Sequence, residues 1–186
     1  MKRTRLLGPD ERKFARVELA EVGEDGTFHG YASLFGKVDL GRDLVERGAF
    51  AKSLGKRGAS SIRMLFQHDP AEPIGTWAEV AEDARGLRVK GRLSLGAARG
   101  REVHALMRDG ALDGLSIGFR TVRAKTDAKT GVRRIAEIDL WEISVVTFPM
   151  LPEARVSGVK TAPNGRALLT AMRRATKMIN ERNRIR

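Results

Sequence analysis

The sequence predicts a mainly β domain of the β-barrel-like or α+β class. Three observations support this class. Some seven or eight short segments carry alternating or continuous apolar residues between turn residues. A clear helical period occurs once before residue 160, after Ala97. The 186 residues, 41% of them hydrophobic, suit one domain with a single core.

The first half of the chain is expected to consist of short strands separated by turns. Ala15, Val17 and Leu19 alternate with charged residues, which is typical of a half-buried strand. A turn at 23–26 and a strand through Phe28 and Tyr31 to Phe35 follow. The next predicted elements are a loop at 36–43, a short helix at 48–54, a strand at 62–68 ended by Asp69 and Pro70, and strands at 75–82 and 87–95.

The second half begins with the one confident helix, which starts at Ala97 and has a predicted C-cap at Gly110. We predict a hairpin of strands 114–122 and 132–138, and another strand at 141–148 that ends before two prolines. A linker then leads into a basic helix. We therefore divide the chain into a domain of residues 1–156 and a linker with a basic C-terminal helix at 157–186.

Composition excludes several classes of protein. The chain has no cysteine, so disulfide frameworks, thiolate zinc sites and cysteine nucleophiles are absent. We expect no cofactor and no metal. The sequence has neither the apolar core of a signal peptide nor the 18 or so consecutive apolar residues of a membrane span, so we expect a cytoplasmic protein.

The net charge of +12 suggests contact with nucleic acid or another polyanion. Half of this excess lies in residues 164–186, which hold seven basic residues and one acid. The basic tail could be an interaction or packaging signal, a segment removed by self-cleavage, or a solvated helix end.

Ser116 is the first candidate for chemistry. Residues 114–118 match G-x-S-x-G, but the strand-like residues that follow are not the helix that a hydrolase nucleophile elbow requires, so we reject that interpretation. On a strand, Ser116 and Gly118 project to one face, which would leave room for a substrate backbone. The alternative is an ordinary serine on a polar sheet face.

His68 and Glu142 are the candidates for proton transfer. His68 ends a strand, where an imidazole could take a proton from a hydroxyl, although it could equally be an exposed histidine. His29 and His104 compete with it. Glu142 places a carboxylate in an apolar strand, where burial requires a partner, either an imidazole or one of the many arginines.

Three segments together resemble the prohead proteases of tailed bacteriophages: residues 66–69 with Ile74 and Gly75, residues 114–119, and residues 141–149. The resemblance covers roughly residues 13–156, and the order and spacing of the segments make it more specific than any single motif. It implies a fold related to the herpesvirus capsid-maturation proteases, a closed β-barrel of about seven strands with peripheral helices.

The resemblance also implies a serine endopeptidase with Ser116 as nucleophile and His68 as base. Glu142 would orient the histidine, with Asp139 as its nearest rival. The implied substrates are the major capsid protein and a scaffold, and self-cleavage is also implied. The implied location is the assembling procapsid in the bacterial host cytoplasm, and the origin could be a phage, a prophage or a gene transfer agent. A homodimer and a weak contact of the basic tail with nucleic acid are further expectations.

Two other functions compete with this one. The first is a basic β-barrel module that binds polyanions through its C-terminal helix. The second is a non-catalytic assembly factor that keeps the fold. The first explains the charge but not the three matched segments, and labelling of Ser116 by a serine-directed phosphonate would separate the enzyme from both.

Overall fold

The computed structural model describes residues 22–157, which form one mixed eight-stranded sheet and two α-helices. The strands are β1 (Thr27–Leu34), β2 (Asp43–Val45), β3 (Arg63–Phe66), β4 (Asp69–Glu82), β5 (Gly86–Leu93), β6 (Gly114–Thr126), β7 (Arg133–Val146) and β8 (Val156–Ser157). The helices are α1 (Ala51–Arg57) and α2 (Ala98–Arg108), with a short 3-10 turn at Ala59–Ser61. The prediction of a mainly β domain with few helices is confirmed.

Strand β7 pairs with three other strands of the sheet. It pairs antiparallel with β6 along one edge, and parallel with both β2 and β3 along the other. Its C-terminal half, Glu142 to Val146, is buried at every position because neighbours cover both faces. A polar side chain in this half is therefore held by protein atoms and not by bulk water.

The predicted closure of the barrel is not confirmed, because the sheet is open. The ladder runs β2-β7-β3-β4-β5-β1-β8, and β6 pairs with β7. Between β6 and β8 there is an isolated bridge from Gly114 to Arg155, with hydrogen bonds from Leu115 N–H to Ala154 and from Val156 N–H to Asp113, each 2.9 Å. Within residues 22–157, β8 comprises Val156–Ser157 and the bridge to β6 stays isolated.

The core is built from the inward faces of the strands. In β5, Leu87, Val89 and Leu93 are buried while Arg88 and Lys90 between them are exposed. This alternation is the predicted period-2 pattern of a half-buried strand. Phe28 and Trp77 meet edge to face with ring centroids 5.6 Å apart inside the same core.

The largest differences from the predicted strands concern β4, β7 and β2. Strand β4 begins at Asp69 and not near residue 75, because its first residues pair irregularly with β3 alone and such an edge tolerates proline. The segments 132–138 and 141–148 are one strand, since Asp139 turns its carboxylate to Arg57, Arg120 and the Trp141 indole and leaves the backbone continuous. Strand β2, of three residues, was not predicted.

The two helices predicted within the described residues are both present. Helix α1 begins at Ala51, three residues later than predicted. Helix α2 matches its predicted start within one residue, and Gly110 after it has φ of 72°, the left-handed geometry of the predicted C-cap.

The predicted strand at residues 15–19, the linker after Ser157 and the basic helix lie outside the described residues. Within residues 22–157, no helix is both long enough and apolar enough to cross a membrane.

Candidate active site

Pairing between β6 and β7 collects four positions on one face of the sheet. Ser116 lies directly opposite Ser144, and Gly118 lies directly opposite Glu142. Opposite residues of antiparallel strands project to the same side, with Cα atoms about 5 Å apart. All three side chains of this group are buried, with Ser116 5% exposed. The sequence prediction that Ser116 and Gly118 share a face is confirmed.

His68 reaches this face from a tight turn after β3. Both Gln67 (φ 54°) and His68 (φ 62°) adopt the left-handed backbone conformation, which costs a non-glycine residue on the order of 1–3 kcal/mol. Hydrogen bonds hold the turn. Gln67 N–H donates to the Val145 carbonyl at 3.1 Å, and the Gln67 amide donates to Thr147 Oγ1 at 2.7 Å.

The His68 ring contacts the Glu142 carboxylate. Nδ1 of His68 lies 2.6 Å from Oε1 of Glu142, whose side chain is 12% exposed, while the His68 side chain is 41% exposed. The hydrogen bond that the His68 ring donates to Glu142 raises the pKa of His68, and the carboxylate charge adds to this, while burial acts in the opposite direction. When Glu142 is ionised, Nδ1 carries the proton in this contact, so Nε2 of the neutral ring is free to accept one.

The second carboxylate oxygen of Glu142 is bound by Ser144. Oγ of Ser144 donates to Oε2 at 2.6 Å, and the same Oγ accepts the His68 backbone N–H at 3.1 Å. Ser144 was not singled out from the sequence. Its spacing of two residues from Glu142, which puts both side chains on one face of a strand, was the available clue.

Gly118 makes room for the carboxylate. A Cβ atom at this position would lie 2.0 Å from Oε1 of Glu142, closer than any side chain permits. The sequence-based interpretation assigned the bare space at Gly118 to a substrate backbone. The structure shows that Glu142 fills it.

The rival residues are engaged elsewhere. Asp139 is bound by Arg57 at 2.9 Å and by the Trp141 indole at 3.0 Å, and the Trp141 hydrogen bond is the main cause that lowers its pKa. Nε2 of His104 lies 2.9 Å from the Gly23 carbonyl. Within the described chain, Glu142 forms no ion pair with an arginine, so the structure brings it to His68 and not to a guanidinium group.

A cavity of about 150 Å³ lies beside Ser116, between residues 32–34 of β1 and residues 115–119 of β6. Its walls are mostly apolar, from Leu34, Ile117 and Leu151, with Asp39 at one side. Burial is the main cause that raises the pKa of Asp39. The cavity has the size of one amino-acid side chain.

A histidine that is hydrogen-bonded to a buried carboxylate, on a sheet face that also carries a serine of the neighbouring strand, is the kind of arrangement that serine hydrolases use. In the described part of the chain, no cluster of acidic and histidine side chains could hold a metal ion. The contact between His68 and Glu142 is typical of the class of hydrolases that act through an activated hydroxyl.

This chain belongs to the caudovirus prohead serine protease family, whose model matches residues 13–165. It is 37% identical over 148 residues to the prohead protease of Enterobacteria phage HK97, a match that covers 78% of this chain and 65% of that protein's length. The chain thus spans just under two thirds of this relative. The family resemblance predicted from the sequence is confirmed.

Among solved structures, the capsid assembly protease of bacteriophage T4 is similar with a TM-score of 0.56 and 15% identity, over 66% of this chain and 82% of that one. At this identity the likeness concerns the fold alone. The protease of the herpesvirus KSHV gives a TM-score of 0.48 at 11% identity, over 70% of this chain and 63% of that one. The sheet of this chain is open, and its relation to the herpesvirus proteases remains a prediction.

Proposed function

We propose that this chain is a serine endopeptidase in which Ser116 is the nucleophile, His68 the general base and Glu142 the residue that orients the histidine. One observation carries the proposal: the 2.6 Å contact between Nδ1 of His68 and Oε1 of Glu142, on the face of the sheet that Ser116 shares. The family membership supports the same reaction class.

The proposed reaction begins with attack of Ser116 Oγ on a peptide carbonyl carbon, while the hydroxyl proton moves to Nε2 of His68. The tetrahedral adduct then collapses, the C–N bond breaks, and the imidazolium gives its proton to the departing amine. Water, deprotonated by His68, hydrolyses the resulting ester and restores the serine. Glu142 stays ionised, fixes the ring and stabilises the imidazolium.

The cavity beside Ser116 supports a peptide substrate. Its volume of about 150 Å³ suits a side chain next to the scissile bond, and its mostly apolar walls favour desolvation of that side chain. The described strand β6 carries the proposed nucleophile at the edge of this cavity, so a bound side chain would bring its carbonyl close to Ser116.

We further propose that the substrates are the major capsid protein or a separate scaffold, and that the protein also cleaves itself. The similarity to a capsid assembly protease in bacteriophage T4 and to a prohead protease in phage HK97 supports this choice. On this proposal the protein works inside the procapsid in the host cytoplasm. A homodimer and contact of the basic tail with nucleic acid remain predictions.

The proposal is tested by coexpressing the chain with the major capsid protein encoded beside it, and comparing wild type with Ser116→Ala by intact mass. Wild type should shorten the capsid protein at a defined bond, and Ser116→Ala should leave it at full length while remaining folded. Labelling of Ser116 by a serine-directed phosphonate gives independent support. Cleavage that persists at the wild-type rate in Ser116→Ala would refute the assignment.

A further inference from the structure

Ser144 closes a ring of hydrogen bonds between the backbone and the side chain of His68. The ring runs from His68 Nδ1 to Oε1 of Glu142, from Oε2 of Glu142 to Oγ of Ser144, and from that Oγ to the His68 backbone N–H. Ser144 is fully buried, so water does not replace its hydroxyl. One side chain thus contacts the orienting carboxylate and the segment that carries the base.

We propose that Ser144 is a positioning residue, whose hydroxyl fixes the Glu142 carboxylate toward the His68 ring and the His68 backbone in its left-handed conformation. The assignment to catalysis rests on the proposed function, but the positioning itself can be measured without any substrate.

The geometry explains why the carboxylate needs a second anchor. The terminal torsion of a glutamate is broad, so one hydrogen bond at Oε1 does not fix the plane of the group. Among the described residues, Ser144 is the hydrogen-bond partner of Oε2. Without the hydroxyl, Oε2 becomes a buried acceptor with no partner, and the carboxylate gains by turning toward solvent.

The hydroxyl also restrains the turn that carries His68. The backbone strain at Gln67 and His68 persists only where surrounding contacts hold it. Ser144 provides one of these contacts from β7, and Val145 and Thr147 provide the others. Loss of the Ser144 contact should therefore loosen the base without unfolding the strand pair.

Few charged groups lie near His68, so a change in its pKa reports on the position of the Glu142 carboxylate. Glu142 on β7 is the charged group that shifts its pKa. Asp69 follows it in the chain but accepts the Ala71 N–H at 2.8 Å, and Arg63 on β3 lies opposite Glu142 in register without an ion pair to it within 4 Å. Gln67, Ser144 and Thr147 are uncharged.

The chain offers a matched control in Ser53. This serine is also buried, and its Oγ also accepts a backbone N–H from β7, that of Leu140 at 2.9 Å. It has no contact with Glu142 or His68. Ser53→Ala therefore removes a buried hydroxyl and one backbone hydrogen bond, at a comparable cost in stability, without touching the proposed ring.

The experiment is an NMR titration of the three histidines in the Ser116→Ala background, with His68 assigned by a His68→Gln variant. Ser144→Ala should move the pKa of His68 down toward the ordinary value of about 6.5, because the carboxylate no longer faces the ring. Ser53→Ala should leave it unchanged. Ser144→Cys, which keeps the shape and a weak donor, should give an intermediate value. An unchanged or higher pKa of His68 in folded Ser144→Ala overturns the proposal.

Cleavage kinetics of variants that retain Ser116 separate this proposal from the proposed function. With active wild type, Ser144→Ala should lower kcat up to about 100-fold with little change in KM, and move the acid limb of the pH profile to lower pH. If Ser144→Ala lowers kcat but leaves the acid limb where it lies in wild type and in the Ser53→Ala control, the result counts against positioning. If wild type shows no Ser116-dependent cleavage but the NMR shift is present, the protease assignment fails and the positioning role stands.

Discussion

Glu142 is the residue that separates a catalytic arrangement from a structural ion pair. Glu142→Gln preserves the size and the hydrogen-bonding capacity of the side chain, since an amide oxygen can accept from Nδ1 and the amide nitrogen can donate to Ser144. We expect the fold to persist and kcat to fall about 10²- to 10⁴-fold, because the neutral amide no longer stabilises the imidazolium. Thermal unfolding and kinetics measure the two effects. Loss of folded protein with normal specific activity in the remainder would instead indicate a structural role.

The pH dependence follows from the raised pKa of His68. The base must be neutral, so kcat/KM should fall as the pH drops through a value above the ordinary 6.5. Because the folded pKa is raised, the stability that protonated His68 contributes is fully present below the unfolded value and is lost as pH rises through the folded one. Activity should thus rise over the same pH range in which the stability contributed by protonated His68 is lost.

The control for this pH prediction is Glu142→Gln, which removes both the hydrogen bond and the charge that raise the pKa. Its acid limb should lie at lower pH than that of wild type. An acid limb that stays in place would assign the titration to another group.

At the scale of elements, the β6–β7 pair defines the site because the two strands are in register around Gly118 and Glu142. Gly118→Ala introduces a methyl group that would lie 2.0 Å from Oε1, so the carboxylate must move. We expect kcat to fall about 10²-fold, at a stability cost of about 1–3 kcal/mol. Gly96→Ala, where a Cβ would meet open space, is the control and should change neither activity nor stability. Wild-type activity in Gly118→Ala would show that the carboxylate position is not critical.

Period-2 reasoning predicted the faces of β5 and β6, and a buried carboxylate in an apolar strand predicted that Glu142 needs a partner. The sequence could not choose that partner. The choice depends on the parallel pairing of β3 with β7, which joins residues far apart in sequence, and on the left-handed turn at Gln67 and His68, which these residue types do not predict. The predicted boundaries of β4 and β7 were wrong because proline and aspartate usually end strands. In β4 the proline is tolerated by edge pairing, and in β7 the aspartate is held by an outward ion pair.

At the scale of the whole molecule, the two ends of the open sheet are joined by the bridge between Gly114 and Arg155 and the hydrogen bonds beside it, which we call the seam. The chain segment before β8 passes close to Gly30 on β1, where a Cβ would lie 2.4 Å from the Arg155 carbonyl oxygen. That same segment supplies the Ala154 carbonyl to Leu115, the residue before Ser116. A disturbance at Gly30 should therefore reach the strand that carries the proposed nucleophile.

Gly30→Ala tests this coupling. The methyl group should push the segment around Arg155 away from β1, lower the free energy of unfolding by about 1–3 kcal/mol, and increase hydrogen exchange at the Leu115 and Val156 amides more than at Val89 in β5. Gly55→Ala in α1 is the matched control: its Cβ meets nothing within 4 Å, and alanine in a helix interior should raise stability by about 0.5–1 kcal/mol. Equal exchange changes at Leu115 and Val89 would mean that the seam does not open separately. Selective opening would mean that the segment before β8 holds the Ser116 end of β6 in place across the gap in the sheet.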